Sequence, residues 1–211
     1  MNNNGLPAFL LLLIASGLSG CATMSGDECL TSDWHAIGFE DGSRGYDANR
    51  LGNHRKACAK HGVTPDFASY QAGHDEGLGR YCQPSRGFNV GSAGGSYNGV
   101  CATHREREFV DAYNSGYHLY QLRGRVSSAK SQIHNKKQAL EENEELMKDK
   151  GVILIAADTP TEDRVRIVIE LKELAESNGK LKAEIEQLLE NRAHHEHELA
   201  DYEAVLADSG Y

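Results

Sequence analysis

Along the C-terminal half of this 211-residue chain, apolar residues recur at alternating spacings of three and four. Leu119, Leu122, Val126, Ala129, Ile133, Leu140 and Met147 form one series, interrupted at Lys136 and Asn143. Ile167, Leu171, Leu174, Asn178, Leu181, Ile185, Leu188, Arg192, His195, Leu199, Tyr202 and Leu206 form a second that keeps step throughout. This rhythm puts one stripe of each helix into a coiled-coil seam. Thr103-His104-Arg105-Glu106 and Thr159-Pro160-Thr161-Glu162 read as capping boxes, the latter with proline at the first helical position, and Gly151 suits the residue just past a helix end. The pattern therefore predicts helices over 104–150 and 160–207. Their similar lengths favour antiparallel pairing, with facing residues whose numbers sum to about 310 and a reach of ~70 Å at ~1.5 Å per residue. Asn178, Arg192 and His195 on the seam cost stability but restrict register. The connection contains Val152 to Ala157, an unusually apolar run for a helical turn. Ile153, Leu154 and Ile155 are candidate contacts for a partner, local burial of the turn being the alternative.

The pattern upstream is different. Residues 29–120 hold 12 of the 15 aromatics, and Gly26 to Gly99 brackets 14 of the 22 glycines, whereas 121–201 has neither an aromatic nor a cysteine. A small glycine-rich helical domain thus precedes the hairpin, and the fold class is mainly α. Gly38-Phe39-Glu40-Asp41-Gly42 recurs 35 residues later as Gly73-His74-Asp75-Glu76-Gly77, with Tyr46 matched by Tyr81. Glycines four apart share one helix face, where a second backbone can approach closely. The two motif helices are expected to pack at these faces. Thr64 with Pro65 reads as the start of the second.

The longest apolar run, Leu6 to Leu18, is short for a membrane span of ~20 residues and reads as the core of a secretion signal. Leu18-Ser19-Gly20-Cys21 follows it and resembles the lipobox of bacterial lipoproteins, in which the cysteine thiol takes a diacylglycerol; Met1 to Gly5 departs from that pattern in having no Lys or Arg. Ala22 after the cysteine resembles the sorting signal for the outer membrane. Residues 1–20 are then signal peptide, 21–28 a lipid-anchored tether, 29–103 the cystine domain and 104–207 the hairpin. With Cys21 lipidated, Cys29, Cys58, Cys82 and Cys101 remain, an even number in an oxidising compartment. Two disulfides follow, preferably Cys29–Cys58 and Cys82–Cys101, with two other pairings open. Spacings of 29, 24 and 19 without a CxxC argue against zinc. The net charge of -9 argues against nucleic acid.

Trp34, Gly38, Asp41-Gly42, Gly45, His54, Cys58, Pro65-Asp66, Tyr70, Gly73, Gly77-Leu78, Tyr81-Cys82, Pro84, Gly87, Gly91 and Tyr97-Asn98-Gly99-Val100-Cys101 together resemble the domain of unknown function 2799 of small bacterial lipoproteins. The resemblance spans about residues 29–120. It implies a lipoprotein and supplies no catalytic residue.

Several groups are candidates for chemistry. Glu40-Asp41 and Asp75-Glu76 could serve as paired acids of a cell-envelope hydrolase, but neighbours on a helix point ~100° apart, so neither pair is a preformed two-carboxylate site. His54 and His61, with His35 and His74, could hold a metal, although polar packing explains them better. Gly87 to Gly99 lacks the lysine and hydroxyl of a phosphate loop. Trp34, Tyr70, Tyr81 and Tyr97, with Phe88, could form an aromatic surface for sugar or peptide, although in so small a domain such rings usually make up the core itself. His194, His195, His197 and Glu198 make a hydrated helix patch. No catalytic constellation, metal site or cofactor emerges. The expected function is a non-enzymatic structural or interaction role at the outer membrane, with the membrane engaged through the lipid and an envelope protein, or a second copy, as partner. The alternative is a glycan- or peptide-binding module on a helical spacer.

Overall fold

The computed structural model describes residues 24–209, which form seven helices and no strand. Cys21 and the signal segment lie outside these residues. The described chain forms two compact units divided at Gly77/Leu78, within a helix.

The first unit comprises α1 (Gly26–Thr31), α2 (Trp34–Ser43), α3 (Arg50–Ala59) and α4 (Phe67–Tyr81) up to Gly77. Ser25 opens α1 with a capping box to Glu28, so helix begins inside the stretch 21–28. Asp33 caps α2 by accepting from the amides of His35 and Ala36. Asp66, not Thr64, opens α4: its carboxylate accepts from Ser69 N–H at 3.1 Å and its carbonyl from Tyr70 N–H at 3.0 Å. Met24, Cys29, Trp34, Cys58 and Tyr70 form the core, and Cys29–Cys58 is a disulfide.

Glycine sets the distance between α2 and α4. A Cβ at Gly38 would lie 2.0 Å from the Tyr70 carbonyl oxygen, one at Gly73 1.9 Å from that of His35, and one at Gly77 2.3 Å from that of Phe39. The helices meet backbone to backbone, as the spacing of the motif predicts. The two glycine motifs are therefore the two sides of one seam.

In the second unit, α5 (Pro84–Ser92) lies along the start of α6 (Thr103–Ile155). Its core is Tyr81, Cys82, Cys101 and Phe109, and Cys82–Cys101 is its disulfide. The contacts of the first seam recur. A Cβ at Gly87 would lie 2.4 Å from the Phe109 oxygen, one at Gly91 2.1 Å from that of Tyr113, and one at Gly116 2.2 Å from that of Phe88. Gly38, Phe39, Gly42 and Ser43 thus correspond to Gly87, Phe88, Gly91 and Ser92, while Tyr70 and Gly77 correspond to Phe109 and Gly116. Even the left-handed turn glycine is shared: Gly45 has φ 75° and Gly94 φ 73°. The duplication is of the whole seam. The 35-residue recurrence marks the two helices that meet within it.

Helix α6 does not stop at Gly151. It runs 53 residues to Ile155 and is followed, after a short turn, by the 48-residue α7 (Thr161–Asp208). Neither expected capping box forms: Ala102 and Pro160 occupy the cap positions without a side-chain bond. Thr159 instead donates to the Ile153 carbonyl, and Arg164 donates to the carbonyls of Leu154, Ala156 and Thr159. One guanidinium therefore satisfies backbone acceptors that the end of α6 would otherwise leave open.

The helices pair antiparallel within the chain. Leu119, Leu122, Val126, Ala129 and Ile133 are buried on α6, and Ile167, Asn178, Ile185 and Leu206 on α7. Two breaks in the apolar series meet polar partners across the seam: Asn143 donates to Asn178 at 2.9 Å and Lys136 pairs with Glu184. Lys136–Glu184 and Lys150–Glu170 place the register at a sum of 320. The shift from 310 follows from the extra length of α6. Gly151 lies within α6, four residues before its end, and is not among the glycines with positive φ, so it does not adopt the left-handed conformation that ends helices.

Candidate functional site

The first unit contains a buried polar network. Asp41 on α2 is 6% exposed, and its Oδ2 accepts from Tyr70 OH at 2.9 Å and lies 2.7 Å from His54 Nε2. Its Oδ1 accepts from Arg50 Nε at 2.9 Å. The helical spacing directs this arrangement: Asp41 precedes Gly42 and so turns toward α3 and α4, while Arg50 and His54, four apart, share one face of α3. The Arg50 guanidinium also stacks 3.9 Å over the Tyr46 ring. With the carboxylate accepting, Nε2 of His54 carries a hydrogen, and Nδ1 is buried without a partner. Burial, reinforced by the hydrogen bond to Asp41, pushes the Tyr70 hydroxyl well above its usual pKa of 10.0.

Beside this network is a cleft of about 410 Å³ whose wall includes Met24, Asp33, Ile37, Asp41, Arg50 and His54. Glu28, Glu40 and Arg44 also border it, with Glu40 and Arg44 paired to each other. The Ser25 backbone and side-chain hydrogen bonds hold the Glu28 carboxyl below the usual range.

The corresponding place in the second unit is apolar. Val90 stands where Asp41 stands and Phe109 where Tyr70 stands, and both belong to the core there. The glycine seam forms around either lining. A sequence comparison of Gly38-Phe39-Glu40-Asp41-Gly42 with Gly87-Phe88-Asn89-Val90-Gly91 carries this signal, because a carboxylate occupies a position its counterpart gives to valine.

The tip of the hairpin is a second candidate. Ile153 and Ile155 are exposed, whereas Leu154 is half-buried and gives its carbonyl to Arg164. Val152 on α6 and Val165, Val168 and Ile169 on α7 extend the patch, each more than half exposed. Val152 lies level with Val168, and Ile155 with Val165, along the register of the hairpin. The α7 side of this patch was missed in the sequence because Val165, Val168 and Ile169 flank Ile167, the residue the seam buries.

The aromatic candidates are core rather than surface. Trp34, Tyr70 and Tyr81 are buried, and Tyr97 is half-buried with its hydroxyl donating to Glu106 and accepting from Cys101 N–H. These rings supply the cores of units too small to be filled otherwise. Phe88 is half-buried. The paired acids diverge: Glu40 meets Arg44 and Asp41 turns inward, while Asp75 accepts from Gln71. His54 and His74 are buried, the latter bonded to the Tyr46 carbonyl, and His61 is exposed against α1. No metal-binding group of three His, Cys, Asp or Glu occurs among the described residues. In the His-rich patch His194 and His195 pair with Glu198, and His197 with Asp201; the His195 hydrogen bond holds the Glu198 carboxyl below its usual range. No described helix is long and apolar enough to cross a membrane.

These features define a class: a duplicated, cystine-linked glycine-seam domain whose last helix extends into an α-hairpin. Residues 33–118 match the sequence model of the family described as Protein of unknown function (DUF2799), the family that the glycine, cysteine and tyrosine pattern resembles. The match begins one residue before α2 and ends two residues beyond Gly116, so it contains both glycine seams and leaves out most of the hairpin. No curated protein and no solved structure matches the chain.

Proposed function

We propose that this protein is a lipid-anchored, non-enzymatic component of the bacterial envelope, held at the outer membrane through Cys21, that docks another envelope protein on the apolar tip of its hairpin. The exposed cluster of Val152, Ile153, Ile155, Val165, Val168 and Ile169 carries the reading. A soluble tip under no demand would be polar, and contiguous exposed apolar patches usually mark contacts. Arg164 fixes the turn, so the patch is presented on a defined surface. From Gly116 to Ile155, α6 gives an arm of roughly 60 Å at ~1.5 Å per residue. The lipobox supports anchoring, and Met24, buried against Cys58, follows Cys21 by three residues, a leash of at most ~10 Å.

Photocrosslinking probes at Ile153 and Ile155 in living cells should capture one protein species that probes at exposed mid-hairpin positions do not. Ile155→Asp should abolish capture without changing helicity. Equal capture from all positions, or unchanged capture by the aspartate variant, would overturn the tip reading. Loss of membrane association in Cys21→Ala tests the anchor separately.

A further inference from the structure

We propose that the cleft of the first unit binds a small zwitterion, an amino acid or a short free peptide, with its carboxylate on the open edge of the Arg50 guanidinium and its ammonium among the rim carboxylates. The comparison of the two units is the first ground. A buried carboxylate with its arginine, histidine and tyrosine is costly to build, and apolar residues fill the same place at no such cost. The second unit does this with Val90 and Phe109 and forms the same seam. The polar lining is therefore not a requirement of the glycine seam.

The second ground is the state of Arg50. Its Nε is committed to Asp41 and its face lies over Tyr46, which fixes the plane of the group. The two terminal nitrogens have no hydrogen-bond partner among the described residues, and the side chain lines the cleft. An arginine pinned in this way presents two parallel donors that match a planar carboxylate. His54, whose buried Nδ1 has no partner, also lines the cleft.

Charge then selects among oxyanions. Glu28, Asp33 and Glu40 border the cleft against a single additional cation, Arg44, that is already paired with Glu40. A doubly charged phosphate is repelled by such a rim, whereas a ligand carrying one carboxylate and one ammonium is matched at both ends. A cleft of about 410 Å³ holds a dipeptide but not a folded chain.

The test is calorimetric titration of the full mature chain, in detergent, with alanyl-alanine. Alanyl-alanine should bind, its carboxamide should bind at least ten-fold more weakly, and the N-acetylated form should also lose affinity. Arg50→Lys, which keeps the charge and removes the fork, should weaken binding ten-fold or more while the Trp34 fluorescence of the folded unit is retained. Absence of binding, equal binding of the carboxamide, or an unchanged affinity in Arg50→Lys would overturn the proposal. Tighter binding of inorganic phosphate or of glycerophosphoethanolamine than of the dipeptide would overturn the carboxylate assignment.

Discussion

Replacing Gly73 with alanine tests the glycine seam where it is tightest. The added Cβ would lie 1.9 Å from the His35 oxygen and 2.8 Å from its carbonyl carbon, both backbone atoms that no rotamer change can move. Restoring a separation of even 3.0 Å requires α2 and α4 to part by about 1 Å. That movement would stretch the Tyr70–Asp41 hydrogen bond from 2.9 Å to beyond bonding distance. Overpacking contributes roughly 1–3 kcal/mol and loss of a charge-assisted hydrogen bond roughly 1.5–3, so the variant should lose about 3–5 kcal/mol. A unit of this size has a total stability of only about 3–8 kcal/mol, at roughly 0.05–0.15 per residue. Gly73→Ala should therefore remove much of the stability of the first unit. Trp34 is the only tryptophan and is buried in that unit, so its fluorescence during urea titration reports this unit alone. Gly52→Ala on α3 of the same unit is the control, since its Cβ would meet nothing within 4 Å and alanine is the better helix former by ~1 kcal/mol. A Gly73→Ala midpoint within ~1 kcal/mol of the parent protein would refute the backbone-contact account.

Three further outcomes follow from the geometry. The Tyr70 pKa is raised in the folded state, so its contribution is complete below pH 10 and is lost as pH climbs past that value; Tyr70→Phe should cost ~1–2 kcal/mol at neutral pH yet flatten the alkaline loss, and an unchanged alkaline slope would exclude Tyr70 as its source. Cysteines at Asn143 and Asn178 should form a disulfide within one chain on oxidation, because their amides already meet at 2.9 Å, and products exclusively between chains would contradict the hairpin register. Arg164→Ala should lower the hairpin's stability by ~2 kcal/mol and speed amide exchange near Ile155, while unaltered exchange there would mean that the three carbonyl contacts do not hold the turn.

The long helices were legible because their 3,4 periodicity extends over dozens of residues and local errors average out. Their ends were not, since each depends on one residue: Gly151 has the composition of a stop but stays helical, and the real terminator is Arg164, reaching back from the next helix. The glycine faces were legible as spacing. Which copy was the repeat and which the partner was not, because both relations give the same Gly-x-x-x-Gly string. The Asp41 network joins residues 13 and 29 apart in sequence, separations with no periodic signature. The aromatics left surface and core both open, since ring composition is the same whether the rings line a surface or fill a core, and the smallness of the domain was the argument for core.

Helix α6 serves the second glycine seam with its first turns and the hairpin with the rest, and it contains no proline between Thr103 and Ile155. It is therefore a lever. A pull on the tip acts through an arm of roughly 60 Å on a fulcrum about one helix diameter, ~10 Å, across. A sideways force at Ile155 is multiplied about six-fold where Gly87, Gly91 and Gly116 meet backbone. Conversely, about 1 Å of give at the fulcrum swings the tip by ~6 Å. The Cys82–Cys101 bond ties the residues just before α5 and α6 to each other and so braces the fulcrum covalently at the start of both helices. Mechanical load on the hairpin would thus be borne by a covalent link, and reduction of that one bond would turn a stiff arm into a compliant one.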